Sequence, residues 1–320
     1  MTLNKNIPYF DFLKGLAIIF VVGAHTVPKY DLTDISNIIP IILKDFCRCA
    51  VPLFLAISAY FMAQKDFSTR DKTIGFWRRY IPPIYIPCLI WAIAPCLTSY
   101  LDWGGELYHL HLLLRCNWYY FGILIIQFYL LLPFIANRVT IRWVVIAGVV
   151  TFCCNVAIYH FQLADFIFSY GPFPAWILYY VIGIWIAKNK PVYSIKWPLI
   201  ATIISLTLDC VDSLVNFGWR EYLLKIHTLP LCVILTLFSK QAQQLYNSNL
   251  ITNSLARLGK MSFGIYLIHY YILRHLIWTM PTDSWSIKWS ITILLSIAVI
   301  LCIKLIVPRK IATNLLGFRG

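Results

Sequence analysis

Apolar stretches near twenty residues recur along this chain, separated by short polar connections. This is the pattern of successive membrane-crossing helices, not of amphipathic helices around a soluble core. Ten such runs, at 8–29, 41–64, 77–99, 117–136, 142–161, 172–188, 197–214, 221–239, 261–280 and 287–307, predict an all-α polytopic bundle of about ten spans. The run at 172–188 is short and the one at 197–214 carries Asp209 and Asp212, so nine and eleven spans are the alternatives. The longest polar connections run from Gln64 to Phe76 and from Ser239 to Lys260. A single membrane-embedded domain over 1–320 is therefore expected, with no soluble domain and no internal repeat.

Lysines and arginines orient the bundle. With the N-terminus in the cytoplasm, 17 of the 27 basic residues fall on the inner side and 7 on the outer, with Lys14, Arg48 and Lys304 inside spans. Both termini are accordingly predicted cytoplasmic. No small-residue cleavage pattern follows the first run, so that run is expected to stay as an anchor.

Composition agrees: 60% of residues are apolar, 12% are charged and mean hydropathy is +0.73, too little polar surface to cover a soluble protein of this length. The net charge of +14 is largely the inner-side bias. It forms no basic stripe with interleaved aromatics, which argues against nucleic acid as a partner. Of the ten cysteines, Cys88, Cys153, Cys154, Cys232 and Cys302 lie in apolar runs, where Cys acts as a small hydrophobe. Cys47 and Cys49 lack metal-ligand spacing, and no metal site is expected.

Chemistry must then come from polar residues inside the spans. Lys14 and His25 lie eleven residues apart in the first run, on nearly one helical face and about 16 Å apart along the axis. Ionisable groups in a span normally face a cavity or a partner, although Lys14 could also snorkel to the interface. Arg48 opens the second run, followed by Pro52 and Ser58; its guanidinium could neutralise an oxyanion, a phosphate or a carboxylate. Ser262, Tyr266 and His269 form an i, i+4, i+7 stripe in the ninth run, read either as a site or as a structural hydrogen-bond network. Trp118 and the neighbouring aromatics read first as interfacial anchors. Asp209 and Asp212 are left without a role.

Taken in order, Asp11-x₂-Lys14-Gly15-x₉-His25, Arg48-x₂-Val51-Pro52-Leu53-Phe54-x₃-Ser58-x-Tyr60, Trp118 with Tyr129 and Pro133, and Ser262-x-Gly264-x-Tyr266-Leu267-x-His269 resemble the acyltransferase-3 family of integral-membrane acyltransferases. The likeness spans about residues 8 to 307. Its most specific element is a basic residue followed by ten residues and a histidine, met by Lys14 and His25. In kind the chain is similar to the short, single-module members that O-acetylate bacterial surface sugars such as enterobacterial common antigen. It departs at Ser58-Ala59-Tyr60, where the family usually has Ser-Gly-Tyr, and at Lys14, where many members have Arg.

The resemblance implies a multi-pass protein of the bacterial inner membrane. Its activity would be transfer of an acetyl group from cytoplasmic acetyl-coenzyme A to a hydroxyl of a surface polysaccharide or lipid-linked glycan. His25, Arg48 and Lys14 would be catalytic, and Asp11, Ser58, Trp118, Tyr266 and His269 would line the donor or substrate cavity. The basic segment from Lys65 to Arg79 would receive the coenzyme A phosphates. Transfer requires a channel through the bundle with Lys14 at its inner end and His25 in its outer half. Another acyl group such as succinyl, or a transporter or glycan-lipid flippase, are the alternatives. A homo-oligomer is left open beside the lipid bilayer and the glycan as partners.

Overall fold

The computed structural model describes residues 8–26, 38–102, 119–160, 173–215, 228–277, 279–280 and 284–318, and every regular element among them is helical. The first apolar run is α1 (Pro8–Thr26). The second divides into α2 (Ile38–Arg48) and α3 (Ala50–Met62). The division at Cys49 follows from Pro52, which has no N–H to give to the Arg48 carbonyl four residues back. Cys49 closes a tighter turn instead, donating to the Phe46 carbonyl at 2.9 Å. The third run is mainly α5 (Pro82–Asp102), and its first residues complete the preceding, largely polar α4 (Arg70–Tyr80). Prolines at the start of α5 sit where helix N–H groups lack partners in any case.

Next come α6 (Tyr120–Ile135) and α7 (Ile141–His160). A 3₁₀ turn at Phe173–Trp176 leads into α8 (Ile177–Asn189), which ends at Lys190 in the left-handed region, φ 44°. They are followed by α9 (Lys196–Val215), α10 (Thr228–Leu237) and the short α11 (Lys240–Leu245). The next helix, α12 (Leu250–Lys260), is started by a capping box: Asn249 Oδ1 accepts from the Thr252 N–H, and Thr252 Oγ1 from the Asn249 N–H. A π turn at Leu273–Ile277 extends α13 (Ser262–Ile272), and α14 (Trp285–Ile306) and α15 (Arg309–Asn314) complete the described chain.

Among the described residues four helical stretches are long and apolar enough to cross a membrane: Pro8–Thr26, Arg70–Leu97, Ile141–Ile158 and Trp285–Ile306. Their surroundings differ. The first is largely buried, packed against α2, α3, α12, α13 and α14, whereas α7 and α14 present rows of exposed apolar side chains such as Val145, Val149, Leu294 and Leu301. Exposed rows of that kind suit contact with lipid tails. The core beside α1 is built from α3, α6 and α8, with Leu53, Leu55, Phe128 and Tyr179 fully enclosed. Phe128 and Tyr180 stack at 4.3 Å with rings 8° from parallel.

In lipid, burial of apolar area drives helix association less than close packing does, so small residues mark the tight crossings. At the α3–α8 contact, a Cβ on Gly183 would collide with the Ala56 carbonyl oxygen and lie 2.8 Å from the Ala59 Cβ. The departure at Ala59 is thus housed opposite a glycine.

Candidate functional site

The site is organised by the crossing of α1 and α12. A Cβ on Gly15 would run into the Leu255 carbonyl oxygen, and one on Gly259 into the Asp11 carbonyl oxygen. Hydrogen in place of a side chain at both positions lets the two backbones touch. This contact fixes the register of Lys14, one residue before Gly15, against α13, which begins three residues after Gly259.

Lys14 turns back along its own helix and donates to Asp11 at 2.8 Å; Asp11 is 4% exposed. The Lys14 ammonium also lies 5.9 Å from the centre of the Phe61 ring. Since Phe61 closes α3 while Val51 opens it, α1 and α3 run antiparallel. The Lys14 end of α1 therefore meets the end of α3, and the His25 end meets its start.

Between them is a cavity of about 500 Å³ whose wall includes both Lys14 and His25. That volume falls within the range of ligand pockets, roughly 300–1,000 Å³. At the Lys14 end the wall also carries Asp11, Ser58, Gln64, Lys65, Tyr80 and Tyr129. Toward His25 it becomes apolar and aromatic, with Val21, Val51, Phe54 and Phe121, and Tyr266 joins from α13. The cavity follows α1 over the spacing of the two residues, about 16 Å at 1.5 Å per residue.

The Lys14 end is braced by hydroxyls and indoles. Ser58 Oγ and Tyr129 Oη are 3.1 Å apart, and Trp77 Nε1 donates to the Tyr129 carbonyl at 2.9 Å, so α3, α4 and α6 are joined at one residue. Lys65 and Arg79 both approach the Tyr80 ring, at 5.6 and 5.7 Å from its centre, which gathers two cations beside the cavity wall. Outside them, Asp66 pairs with Lys72 and accepts from the Ser68 N–H; these contacts hold its carboxyl down to about 2.

The other end holds two histidines. His25, exposed near the end of α1, has its ring centre 5.4 Å from that of His269 and lies edge-on to Tyr270 at 6.2 Å. His269 is 3% exposed and sits behind the cavity wall. Its Nδ1 is 2.7 Å from the Tyr266 carbonyl and 3.1 Å from that of Ile265. A carbonyl can only accept, so Nδ1 carries the hydrogen; in the neutral ring Nε2 is then the acceptor. Nε2 is buried and has no hydrogen-bond partner among the described residues.

The structure thus brings Asp11, Lys14, His25, Ser58 and Tyr266 to one cavity and puts His269 against His25 from behind. It does not bring Arg48 to the wall: that guanidinium donates to Asp45 at 3.1 Å, one turn earlier on α2. Trp118 lies outside the described residues. Asp209 is buried on α9 and does not line the cavity, and Asp212 belongs to the same helix. Gln64 carries no signal in the sequence, and Tyr120, Phe121 and Tyr129 read first as interfacial anchors, yet all four line the cavity. The signal for Tyr129 was its place in the Trp118-to-Pro133 motif. Among the described residues no three of His, Cys, Asp and Glu gather as metal ligands would.

Compared with known proteins, residues 7–307 match a family model described as an acyltransferase domain. No curated protein and no solved structure matches the chain.

Proposed function

Because the chain belongs to the acyltransferase-3 family, whose model covers residues 7–307, it is a membrane acyltransferase, and we propose that it moves an acetyl group from cytoplasmic acetyl-coenzyme A to a hydroxyl of a bacterial surface polysaccharide or lipid-linked glycan. We further propose about ten spans in the inner membrane, with both termini in the cytoplasm. The observation that carries the reading is the single cavity bounded by both Lys14 and His25. It gives a donor made on one side a route to a histidine near the other.

The donor enters at the Lys14 end. Lys65 and Arg79, held beside Tyr80, are the cations for its phosphates, and the thioester extends along the apolar stretch toward His25. There a ring nitrogen of His25 withdraws the proton of the acceptor hydroxyl as the hydroxyl oxygen bonds to the thioester carbonyl carbon. Collapse of the adduct breaks the carbon–sulfur bond. His25 returns the proton to the departing thiolate, leaving the O-acetyl ester and the free thiol. Tyr266 on the cavity wall can donate to the transient oxyanion, whereas Arg48 must first leave Asp45 to do so.

The acyl group favoured is acetyl. Among the described lining residues the lysines, Lys14 and Lys65, are at the donor end, and Lys14 is already paired with Asp11. On the cavity wall a succinyl carboxylate brought to His25 would meet mainly apolar and aromatic groups, and Lys44 on α2, the cation whose charge acts on His25, is not part of that wall.

The test compares surface polysaccharides of a deletion strain complemented with the wild type or with His25→Ala, by mass spectrometry and acetyl-resonance NMR. One O-acetyl signal is expected to be restored by the wild type and not by the variant, whose transfer rate should fall about 10²- to 10⁴-fold. Unchanged acetylation in the deletion strain contradicts the reading and directs attention to another acceptor, another acyl group or transport.

A further inference from the structure

Among the buried groups that the mechanism above leaves unused is the Nε2 of His269, beside His25. Its surroundings are specific. The Nδ1 hydrogen is committed to the carbonyls of Tyr266 and Ile265, so the ring orientation and tautomer are set by the backbone of α13 itself. The remaining nitrogen is an enclosed acceptor with no hydrogen-bond partner among the described residues, and the ring that carries it lies 5.4 Å from that of His25 between centres. Buried acceptors without donors are disfavoured, and His25 is the neighbouring imidazole able to supply an N–H.

We propose that His269 is a positioning residue for His25. Its Nε2 accepts a hydrogen bond from one ring N–H of His25, which fixes the His25 tautomer and directs the other ring nitrogen, as a lone pair, into the cavity. A buried partner that orients a catalytic imidazole through its second nitrogen plays the same part in hydrolase triads, where it is an aspartate. Here the partner is uncharged. When His25 takes the acceptor's proton, its second N–H stays bonded to Nε2, and no proton leaves the pair. Among the described residues the other groups at these rings are Tyr266 and Tyr270 on α13, together with Lys44 on α2, whose charge acts on His25. None of these can replace a fixed, uncharged acceptor: the tyrosines have rotating hydroxyls and Lys44 only donates.

The inference rests on the reading of His25 as the acid–base group, so its test has an arm independent of transfer. Full-length protein labelled with ¹⁵N-histidine in lipid nanodiscs is examined by NMR, with the His25 signals identified from the His25→Ala spectrum. The expected result is His269 as the Nδ1–H tautomer and His25 as one tautomer. His269→Gln, which keeps an acceptor oxygen, should preserve the single His25 tautomer, and His269→Phe should yield a mixture. In complemented cells, acetylation by His269→Phe should fall about 10- to 100-fold, the usual cost of removing an orienting partner, and be largely recovered in His269→Gln. An Nε2–H tautomer of His269 in the wild type, or an unchanged His25 tautomer in His269→Phe, would overturn the inference. Spectra as expected from a protein whose deletion leaves acetylation unchanged would overturn the proposed function and keep the positioning role.

Discussion

Lys14 is the residue at which stability and function meet. Its ammonium neutralises Asp11, a carboxylate almost wholly enclosed, while remaining part of the cavity wall. Removing one partner of an enclosed pair leaves the other charge unsatisfied, at about 3–5 kcal/mol when both are buried. The Lys14 side chain is 31% exposed, so the cost here is discounted to about 1–3 kcal/mol. Lys14→Met should therefore lower the thermal unfolding midpoint in detergent, and the double variant Lys14→Met, Asp11→Asn should recover most of the loss. Equal destabilisation of the single and double variants would show that the pair is not what Lys14 contributes. At this scale much was legible in the sequence, since Asp11, Lys14 and His25 share a helix whose geometry is known in advance. The Arg48–Asp45 pairing was not read, because the approach of one side chain to its i−3 neighbour competes with an unseen cavity. Tyr129 was hidden by its type, as an aromatic near a span end has an interfacial explanation without any site.

At the scale of elements, apolar runs mark helices, and proline breaks some of them while Pro87 and Pro95 stay inside α5 and Pro133 inside α6. Pro52 divides the second run into a pair of helices, and Pro82-Pro83 separate α5 from the polar α4 that precedes it. Sequence could not say which helices touch. The contact of α1 with α12 depends on Gly15 and Gly259 facing each other, two positions far apart in the chain whose smallness matters only together. Gly259→Ala places a methyl against the Asp11 backbone, and a backbone cannot yield as a side-chain tip can. The expected cost is at the upper end of overpacking, about 3 kcal/mol or more, seen as a lowered unfolding midpoint together with lost acetylation. Gly75, exposed in the interior of α4 with nothing within 4 Å of a Cβ built there, supplies the control: Gly75→Ala should hold or slightly raise the unfolding midpoint.

For the whole molecule, the cavity lies along an antiparallel, mutually packed helix pair, α1 and α3, and is walled by aromatic and hydroxyl groups of α6 and α13. Its polar end and apolar end come from different parts of several helices, which explains why a channel could be expected from Lys14 and His25 but its walls could not be drawn. In the proposed reaction acetyl-coenzyme A lies in this cavity with its phosphates by Lys65 and its acyl carbon by His25. The most direct measurement is a cryo-electron microscopy structure of the protein in nanodiscs with a non-transferable thioether analogue of acetyl-coenzyme A. Density running from Lys65 and Arg79 past Lys14, with the acyl carbon against the His25 ring, is the expected result. Analogue bound outside the cavity, or with its phosphates at the His25 end, would contradict the account.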